Sequence, residues 1–540
     1  MSSDAVLTVP AEAARTRDWA LLRAISLPMI VGVLVRAAPV VSSPFPLNDG
    51  GMFCVMVRDL QHAGFVLPQS STYNGLHIPF AYPPLGFYLV GIVNSLTHIP
   101  LLELFQWWPL LFSLLTLPVF WMIAEEMLPT RFHALIATFA FALLPRAYEW
   151  LIAGGGITRA PGSLFGMLAF YAALRMFQTE RSRYVVVTAV TSGLTALTHP
   201  EAALATAVSI AVLVALRCRS RRAVLQTILA GLGALLVTSP WLVYVLLRFG
   251  PGVLLSAGGT GPNAVAGTFY LLLFDFTGEP FWHILAGLGL LGMLHQVSRR
   301  SYVLPIWVIA DFLVDSRAAS TYTAVPLALL VAFGLIDVVL PALSGRRWED
   351  RRSPAWPIPL LSQGLVAILL AATLAMTLTS SLLLQADTGG PVHALSPANV
   401  AAMRWVSQHT PTDARFVVLT GANWWNDATS EWFPAIADRA SVATQQGYEW
   451  LGLSAWQRQS DSAAALQTCA GAGLPCIEAW SAEYRAPLNY VYLPKGPLLG
   501  PLSASDCCTT LRIELARDSS YREIYDGLGA TIFQRVRAEP

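Results

Sequence analysis

The residues that could do chemistry are few, and they sit between long apolar runs. The stretch FPLNDGGMF, residues 45–53, sets Asp49 between Asn48 and two glycines. Asn48 or Asp49 there can cap a helix beginning at Gly50 or Gly51. The same Asp49 carboxylate, with glycines leaving room for a bulky partner, can take or orient a proton. Arg159 stands in GGGITRAPG beside three glycines that let backbone amides approach a ligand. A guanidinium at such a place suits a phosphate through paired hydrogen bonds, or it snorkels to lipid headgroups. Arg146 and Glu149 precede it in PRAYEW. The turn Thr198-His199-Pro200-Glu201 reads as a capping box through Thr198 and Glu201, which leaves His199 for substrate. Arg317, in DSRAAS, is a second phosphate candidate, with Asp311 and Asp315 at hand to pair with it. Glu279, in FTGEPFW, either binds a ligand hydroxyl or caps the next helix. Trp424 and Trp425, in GANWWND, either stack on a ligand or belong to a core.

These residues hang on an apolar frame. The 540 residues are 55% hydrophobic and 12% charged, with mean hydropathy +0.54. Soluble proteins carry about 25% charge. Repeated apolar runs then indicate a polytopic membrane protein. A net charge of +1 gives no argument for nucleic acid. The N-terminal segment, interrupted by Arg23 and Arg36, reads as a tail and first span rather than a cleavable signal.

Arginine-bearing turns set the expected topology. They are Arg131, TERSR (179–183), RCRSRR (217–222), SRR (298–300) and GRRWEDRR (345–352). Placing all of them inside satisfies the positive-inside rule with the N-terminus cytoplasmic. Spans then fall near 19–41, 102–127, 132–150, 161–178, 185–198, 201–217, 224–247, 281–297, 302–316, 322–342 and 357–384. With about 11 spans the C-terminal segment lies outside. Residues 50–64 and 83–98, in the first outer loop (42–101), are read as helices at the outer surface. In the first, Met52, Phe53, Met56, Val57 and Leu60 share a face opposite Arg58, Gln61 and His62, the pattern of an interfacial helix. Spans 185–198, 201–217 and 302–316 are short for a hydrocarbon core of roughly 30 Å. The ionisable residues at their ends therefore predict a polar cavity open to the outer face.

Composition shifts after Leu384. QADTGGPVHALSP reads as a linker. Helical patterns at SPANVAAMRWVSQHTP and SAWQRQSDSAAALQTCAG alternate with strand patterns at ARFVVLTG, NYVYLP and ATIFQRV. Residues 386–540 thus form an extracytoplasmic α/β domain behind a membrane domain, 1–385. Cys469, Cys476, Cys507 and Cys508 lie in it, an even count favouring disulfides over zinc, with the vicinal 507–508 pairing disfavoured. Cys54 and Cys218 read as lone thiols.

The order of these features resembles the GT-C superfamily of membrane glycosyltransferases, in the style of glycosyltransferase family 39 and the protein mannosyltransferases. The features are an aspartate at the start of a long first outer loop, an amphipathic helix, YPPLGFYL leading into a second helix, and a C-terminal outer domain. The resemblance covers residues 1–385. It implies a polytopic helical fold in the cytoplasmic (inner) membrane and an inverting transfer. A sugar leaves a polyprenyl-phosphate donor for an unknown acceptor, which can be a protein, a lipid or a glycan. Asp49 then takes the acceptor's proton or orients the acceptor. Arg159, Arg317 and Arg146 bind the leaving phosphate, and His199, Glu149, Glu279 and Tyr82 contact substrate. Protein mannosyltransferases carry a glutamate after the aspartate, whereas Gly50 follows here, so substrate identity does not carry over. Metal-dependent relatives carry paired carboxylates. The first loop has no such pair and Glu149 alone does not make a metal site, so the sequence argues against an obligatory divalent metal. Two other classes stay open: a lipid or glycolipid transporter or flippase, and a non-catalytic assembly protein. Convergence of Asp49, Arg159 and Arg317 on one pocket would favour the enzyme.

Overall fold

The computed structural model describes the backbone of residues 11–218, 220–260, 275–279, 282–344, 364–383, 393–496 and 507–536. The GRRWEDRR turn, the start of the last expected span and most of the interdomain linker lie outside the described residues.

Each expected span contains a helix. In chain order the helices are α1 (Ala11–Ser42), α2 (Gly51–His62), α3 (Leu85–Thr97), α4 (Leu101–Met127), α5 (Arg131–Leu143), α6 (Glu149–Ile152), α7 (Gly156–Thr179), α8 (Ser182–Thr198), α9 (Pro200–Arg217), α10 (Arg221–Phe249), α11 (Gly252–Gly258), α12 (Ile284–Ser298), α13 (Val303–Val314), α14 (Ala319–Tyr322), α15 (Ala324–Phe333) and α16 (Gly364–Leu383). Among the described residues, six helices are long and apolar enough to cross a membrane: Ile25–Ser42 of α1, then α4, α7, α9, α10, and Ala324–Leu343, which continues α15 through a π-helical stretch. The protein is therefore a multi-pass membrane protein. α3 has 13 residues, about 20 Å at the usual helical rise, so it is too short to cross. The expected span at 132–150 stops at Leu143, because Leu144 turns extended ahead of Pro145.

The bundle core is aliphatic and aromatic, with Val35, Phe120, Phe141, Leu213, Val308 and Leu329 buried. Arg36 is fully buried within it. Its guanidinium donates to Thr116 Oγ1 at 2.8 Å and to the Ser113 carbonyl, which satisfies a charge that would otherwise be costly at that depth.

The C-terminal domain has a five-stranded mixed sheet in the order β4-β3-β5-β7-β6. β3 (Arg415–Val418), β5 (Tyr490–Pro494) and β7 (Ala530–Arg535) occupy the three expected strand sites. The short edge strand β4 (Ala440–Ser441) and the partly exposed β6 (Tyr521–Asp526) complete it. A two-stranded pair in the first loop supplies β1 (Ser70–Ser71) and β2 (Ile78–Pro79). The domain's helices are α17 (Pro397–His409), α18 (Ala428–Ala437), α19 (Leu453–Thr468), α20 (Leu474–Tyr484) and α21 (Thr509–Arg517). Ser396 and Asn399 form a capping box on α17.

Two expectations change here. The apolar face of α2 packs into protein: Met52, Met56, Val57 and Leu60 are buried in one core with Trp432 and Phe433 of α18, and Arg58 donates to the Ala435 carbonyl at 2.9 Å. Helix α2 is a joint between two domains rather than an interfacial helix. The cysteines pair as Cys469–Cys476 and Cys507–Cys508, so the vicinal pairing disfavoured on sequence grounds is the one present. Cys508 takes left-handed backbone (φ 65), and both its Sγ and that of Cys507 lie 3.7 Å from the Leu419 carbonyl oxygen. Cys54 and Cys218 are free.

Candidate active site

The loop bearing Asp49 is clamped on both sides by backbone contacts. The Leu47 carbonyl accepts from Gly154 N–H at 2.7 Å, Trp432 Nε1 donates to the Asn48 carbonyl at 2.8 Å, and Gly50 N–H donates to Glu431 Oε1 at 2.8 Å. Asn48 donates its side-chain amide to the Trp425 carbonyl at 3.0 Å. Gly50 holds φ 126, a conformation other residues rarely adopt, and a Cβ there would press on Phe105 and Trp432 at 3.1 Å. Gly50 is also the N-cap of α2, and no side chain caps that helix. Capping therefore does not explain Asp49.

The Asp49 carboxylate turns toward the start of α7. One oxygen accepts from Gly155 N–H at 3.0 Å and the other is ion-paired with Arg159. Side chains on Gly154 or Gly155 would collide with Asp49 itself. The glycine run thus brings backbone amides to the carboxylate. Arg159 also lies over the Trp150 ring, 5.2 Å from its centroid.

From α7 a hydrogen-bonded chain runs to Arg317. Tyr82 Oη lies 3.2 Å from Thr158 Oγ1 and 2.6 Å from His199 Nδ1. His199 Nε2 is 3.3 Å from Glu201, and Glu201 is ion-paired with Arg317. Arg317 also donates to Thr260 at 2.8 Å, and its backbone N–H bonds Asp315 at 3.2 Å. Burial holds the Tyr82 hydroxyl above its ordinary range, so it stays protonated. The capping box is absent: Thr198 donates back to the Leu194 carbonyl at 2.7 Å, and Glu201 faces His199 and Arg317.

The structure brings together Asp49, Arg159, Tyr82, His199 and Arg317 among the expected site residues. The others form a separate group. Arg146 lies 3.9 Å from Glu149 and packs on Gly278. Glu279 accepts from Leu285 and Ala286 N–H at 2.8 and 3.0 Å. Both Glu279 oxygens thus accept from the first turn of α12, the helix-capping alternative of its two readings. Asp311 bonds Thr323 at 3.4 Å rather than pairing with Arg317. Trp424 and Trp425 are exposed, not core, and stand edge to face with centroids 5.9 Å apart.

Two carboxyls escaped sequence reasoning. Glu431 reaches Gly50 from α18, and burial, then the charge of Asp49, pushes its carboxyl up to about 8. Glu449 is half-buried, and desolvation raises its carboxyl against the pull of Arg317. Glu431 precedes Trp432 and Phe433 in SEWF and Glu449 stands between Tyr448 and Trp450 in YEWL, and an acid beside aromatic residues was the available signal.

A narrow cleft beside Arg317's partners is lined by Glu201, Leu204, Ala205, Val208, Asp315 and Tyr322. A second cleft, which shares Ala205 and Tyr322, runs past Met167, Phe170, Trp307 and Val325.

No protein-family model matches the sequence, and no curated protein matches it. Solved structures do match its fold. The archaeal oligosaccharyltransferase AglB from Archaeoglobus fulgidus, in complex with an inhibitory peptide and a dolichol-phosphate, superposes with TM-score 0.59 at 14% identity, over 88% of this chain and 69% of that one. ArnT from Cupriavidus metallidurans bound to undecaprenyl phosphate gives 0.53 at 14% identity, over 97% and 99%. The arabinofuranosyltransferase AftD from Mycobacteria gives 0.54 at 17%, over 97% of this chain and 40% of that one. The helical membrane domain, the C-terminal sheet domain and the near end-to-end match with ArnT together show that this chain has the GT-C fold.

Proposed function

We propose that the protein is a membrane glycosyltransferase that moves a sugar from a polyprenyl-phosphate donor to an acceptor at the outer face of the cytoplasmic membrane. The observation that carries this reading is that neighbouring residues of α7 anchor two groups, the Asp49–Arg159 pair and the hydrogen-bonded run from Thr158 through Tyr82, His199 and Glu201 to Arg317, with a carboxylate at one end and a partly exposed guanidinium at the other. Solved relatives of the same fold hold dolichol-phosphate or undecaprenyl phosphate.

In the reaction we infer, an acceptor oxygen or nitrogen attacks the anomeric carbon as the bond to the donor phosphate breaks, inverting that carbon. The acceptor's proton passes to Asp49, and the released polyprenyl phosphate keeps the bonding electron pair. Arg317 is the better phosphate ligand of the two arginines. Its side chain is 39% exposed against 14% for Arg159, whose guanidinium is already paired with Asp49. Arg159 therefore orients Asp49 first and adds positive field second.

The test is incubation of the purified protein with labelled polyprenyl-phosphate sugars and a mixture of envelope acceptors, followed by identification of the labelled product. Label moving to an acceptor with release of polyprenyl phosphate supports the reading. Passage of intact labelled lipid across a bilayer without bond cleavage overturns it in favour of a flippase.

A further inference from the structure

Glu431 is the one acidic side chain that the C-terminal domain places against the Asp49 loop within hydrogen-bond reach, among the described residues. It is buried, 7% exposed, in the first turn of α18. Oε1 accepts from Gly50 N–H at 2.8 Å, and Oε2 lies 3.2 Å from Gln446 Nε2. The Glu431 carbonyl accepts from Tyr73 Oη at 2.7 Å, and Trp432, the next residue, bonds the Asn48 carbonyl. The residues on either side of Asp49 are thus both held by α18. A domain needed only for attachment would not have to spend a buried carboxyl on this peptide, because a buried acid without full compensation is costly.

We propose that Glu431 is a positioning residue for Asp49, through which the C-terminal domain sets both the backbone and the charge of the acceptor side of the site. This rests on the glycosyltransferase reading for its meaning in turnover. The groups facing Glu431 are Asp49, Arg159 and Glu449 by charge, and Gly50, Gln446 and Tyr73 by hydrogen bonding. Among these, Asp49 and Glu449 oppose a second anion and Arg159 favours it. At neutral pH Glu431 keeps its proton, so Arg159 faces a single carboxylate. When Glu431 ionises, two anions compete for Arg159, and Asp49 is drawn less firmly to the Gly155 amide.

The experiment uses the full chain in detergent or nanodiscs, with two readouts. The first is Tm against pH, which does not depend on turnover. A carboxyl whose folded pKa is raised stabilises the fold fully below its unfolded value, and that contribution is lost as pH rises through the folded one. The wild-type Tm therefore falls between about pH 4.5 and about pH 8 through this group. Glu431→Gln, which keeps an acceptor for Gly50 N–H but cannot ionise, lacks that part of the descent. Asp49→Asn moves the end of the descent to lower pH, since it removes one of the raising charges. The second readout is sugar transfer. Wild-type turnover falls by about tenfold per unit above about pH 8, Glu431→Gln loses that alkaline limb, and Glu431→Ala loses turnover over the whole range by freeing the Gly50 peptide. Parallel Tm–pH curves for wild type and Glu431→Gln overturn the proposal. If the curves differ as described but no variant transfers sugar, the coupling to Asp49 stands and the glycosyltransferase reading falls.

Discussion

The two ends of the candidate site are built differently. At the Asp49 end every neighbour is fixed: a positive-φ glycine, two backbone hydrogen bonds from the Gly154–Gly155 turn and its partner loop, an ion pair, and a helix of the C-terminal domain overhead. At the Arg317 end the guanidinium is more than a third exposed and leans on Glu201 and Thr260, with a cleft alongside. A carboxylate held from several sides and 19% exposed suits a group that must meet a reacting proton in one geometry. An open arginine suits a ligand that arrives, changes charge and leaves. The contrast sets α18 of the C-terminal domain against the Asp49 end, while Arg317 leans on Glu201 of α9 and on Thr260.

The sharpest way to break this comparison is at Asp49. Asp49→Asn keeps the size of the side chain and removes the base, so transfer should fall by about 10²–10⁴-fold with the fold retained. A loss of less than about tenfold, measured as kcat/KM on a protein with unchanged Tm, would move the chemistry elsewhere. At the other end, Arg317→Ala should cost about ten- to a hundredfold, mainly through a higher donor KM, while Arg317→Lys recovers part of it because a single ammonium cannot bond the phosphate in two places. If Arg159→Ala instead shows the donor-KM effect and Arg317→Ala does not, the two ends exchange roles.

How much of this was legible beforehand depends on the range of the interaction involved. Apolar runs report local helix formation, and each expected span holds a helix. The strands of β3, β5 and β7 were visible for the same reason, since each is a short apolar run between turns. Edge strand β4 and the exposed face of β6 carry little hydrophobic signal and were missed. Asp49, Arg159, Tyr82, His199 and Arg317 stood out as polar groups at the ends of apolar segments, where ionisable residues are costly. Their pairings did not, because Asp49 meets Arg159 across 110 positions and Gly50 meets Glu431 across 381. Readings from near neighbours fail where a distant segment intervenes: the capping alternative for Asp49 gives way to α7, which takes the carboxylate, and the interfacial reading of α2 to α18, which covers its apolar face. Thr198 loses its capping box for a local reason, since it bonds back to Leu194 in its own helix, while Glu201 is drawn to Arg317. For Glu279, of the two readings as sugar contact or helix cap, the local cap is the one its bonds show.

Tyr82 connects the two ends, and it tests whether they act together. Tyr82→Phe removes one hydroxyl from between Thr158 and His199 and should cost about fivefold to thirtyfold in kcat/KM. In a double-mutant cycle with His199→Ala the effects should fall short of additivity by about 1 kcal/mol, because each change breaks the same bond. Full additivity would mean that the two ends work independently.

The smallest kinetic effect is expected at Glu279, and it sharpens the boundary of the site. Its two oxygens take the Leu285 and Ala286 N–H groups at the start of α12. Glu279→Ala leaves both donors without that partner, a loss of about 1–2 kcal/mol of stability of the kind a missing N-cap produces. Donor and acceptor KM should stay within about twofold, since Glu279 is bonded to the start of α12 and stands with Gly278 on the Arg146 side. Glu279→Gln separates the two explanations. The amide accepts through only one atom, so stability should fall by roughly half as much as in the alanine variant if capping is the whole role. A KM change larger than the stability change in either variant would extend the site across to Arg146 and Glu149, and would remove the division between an enclosed carboxylate end and an open arginine end.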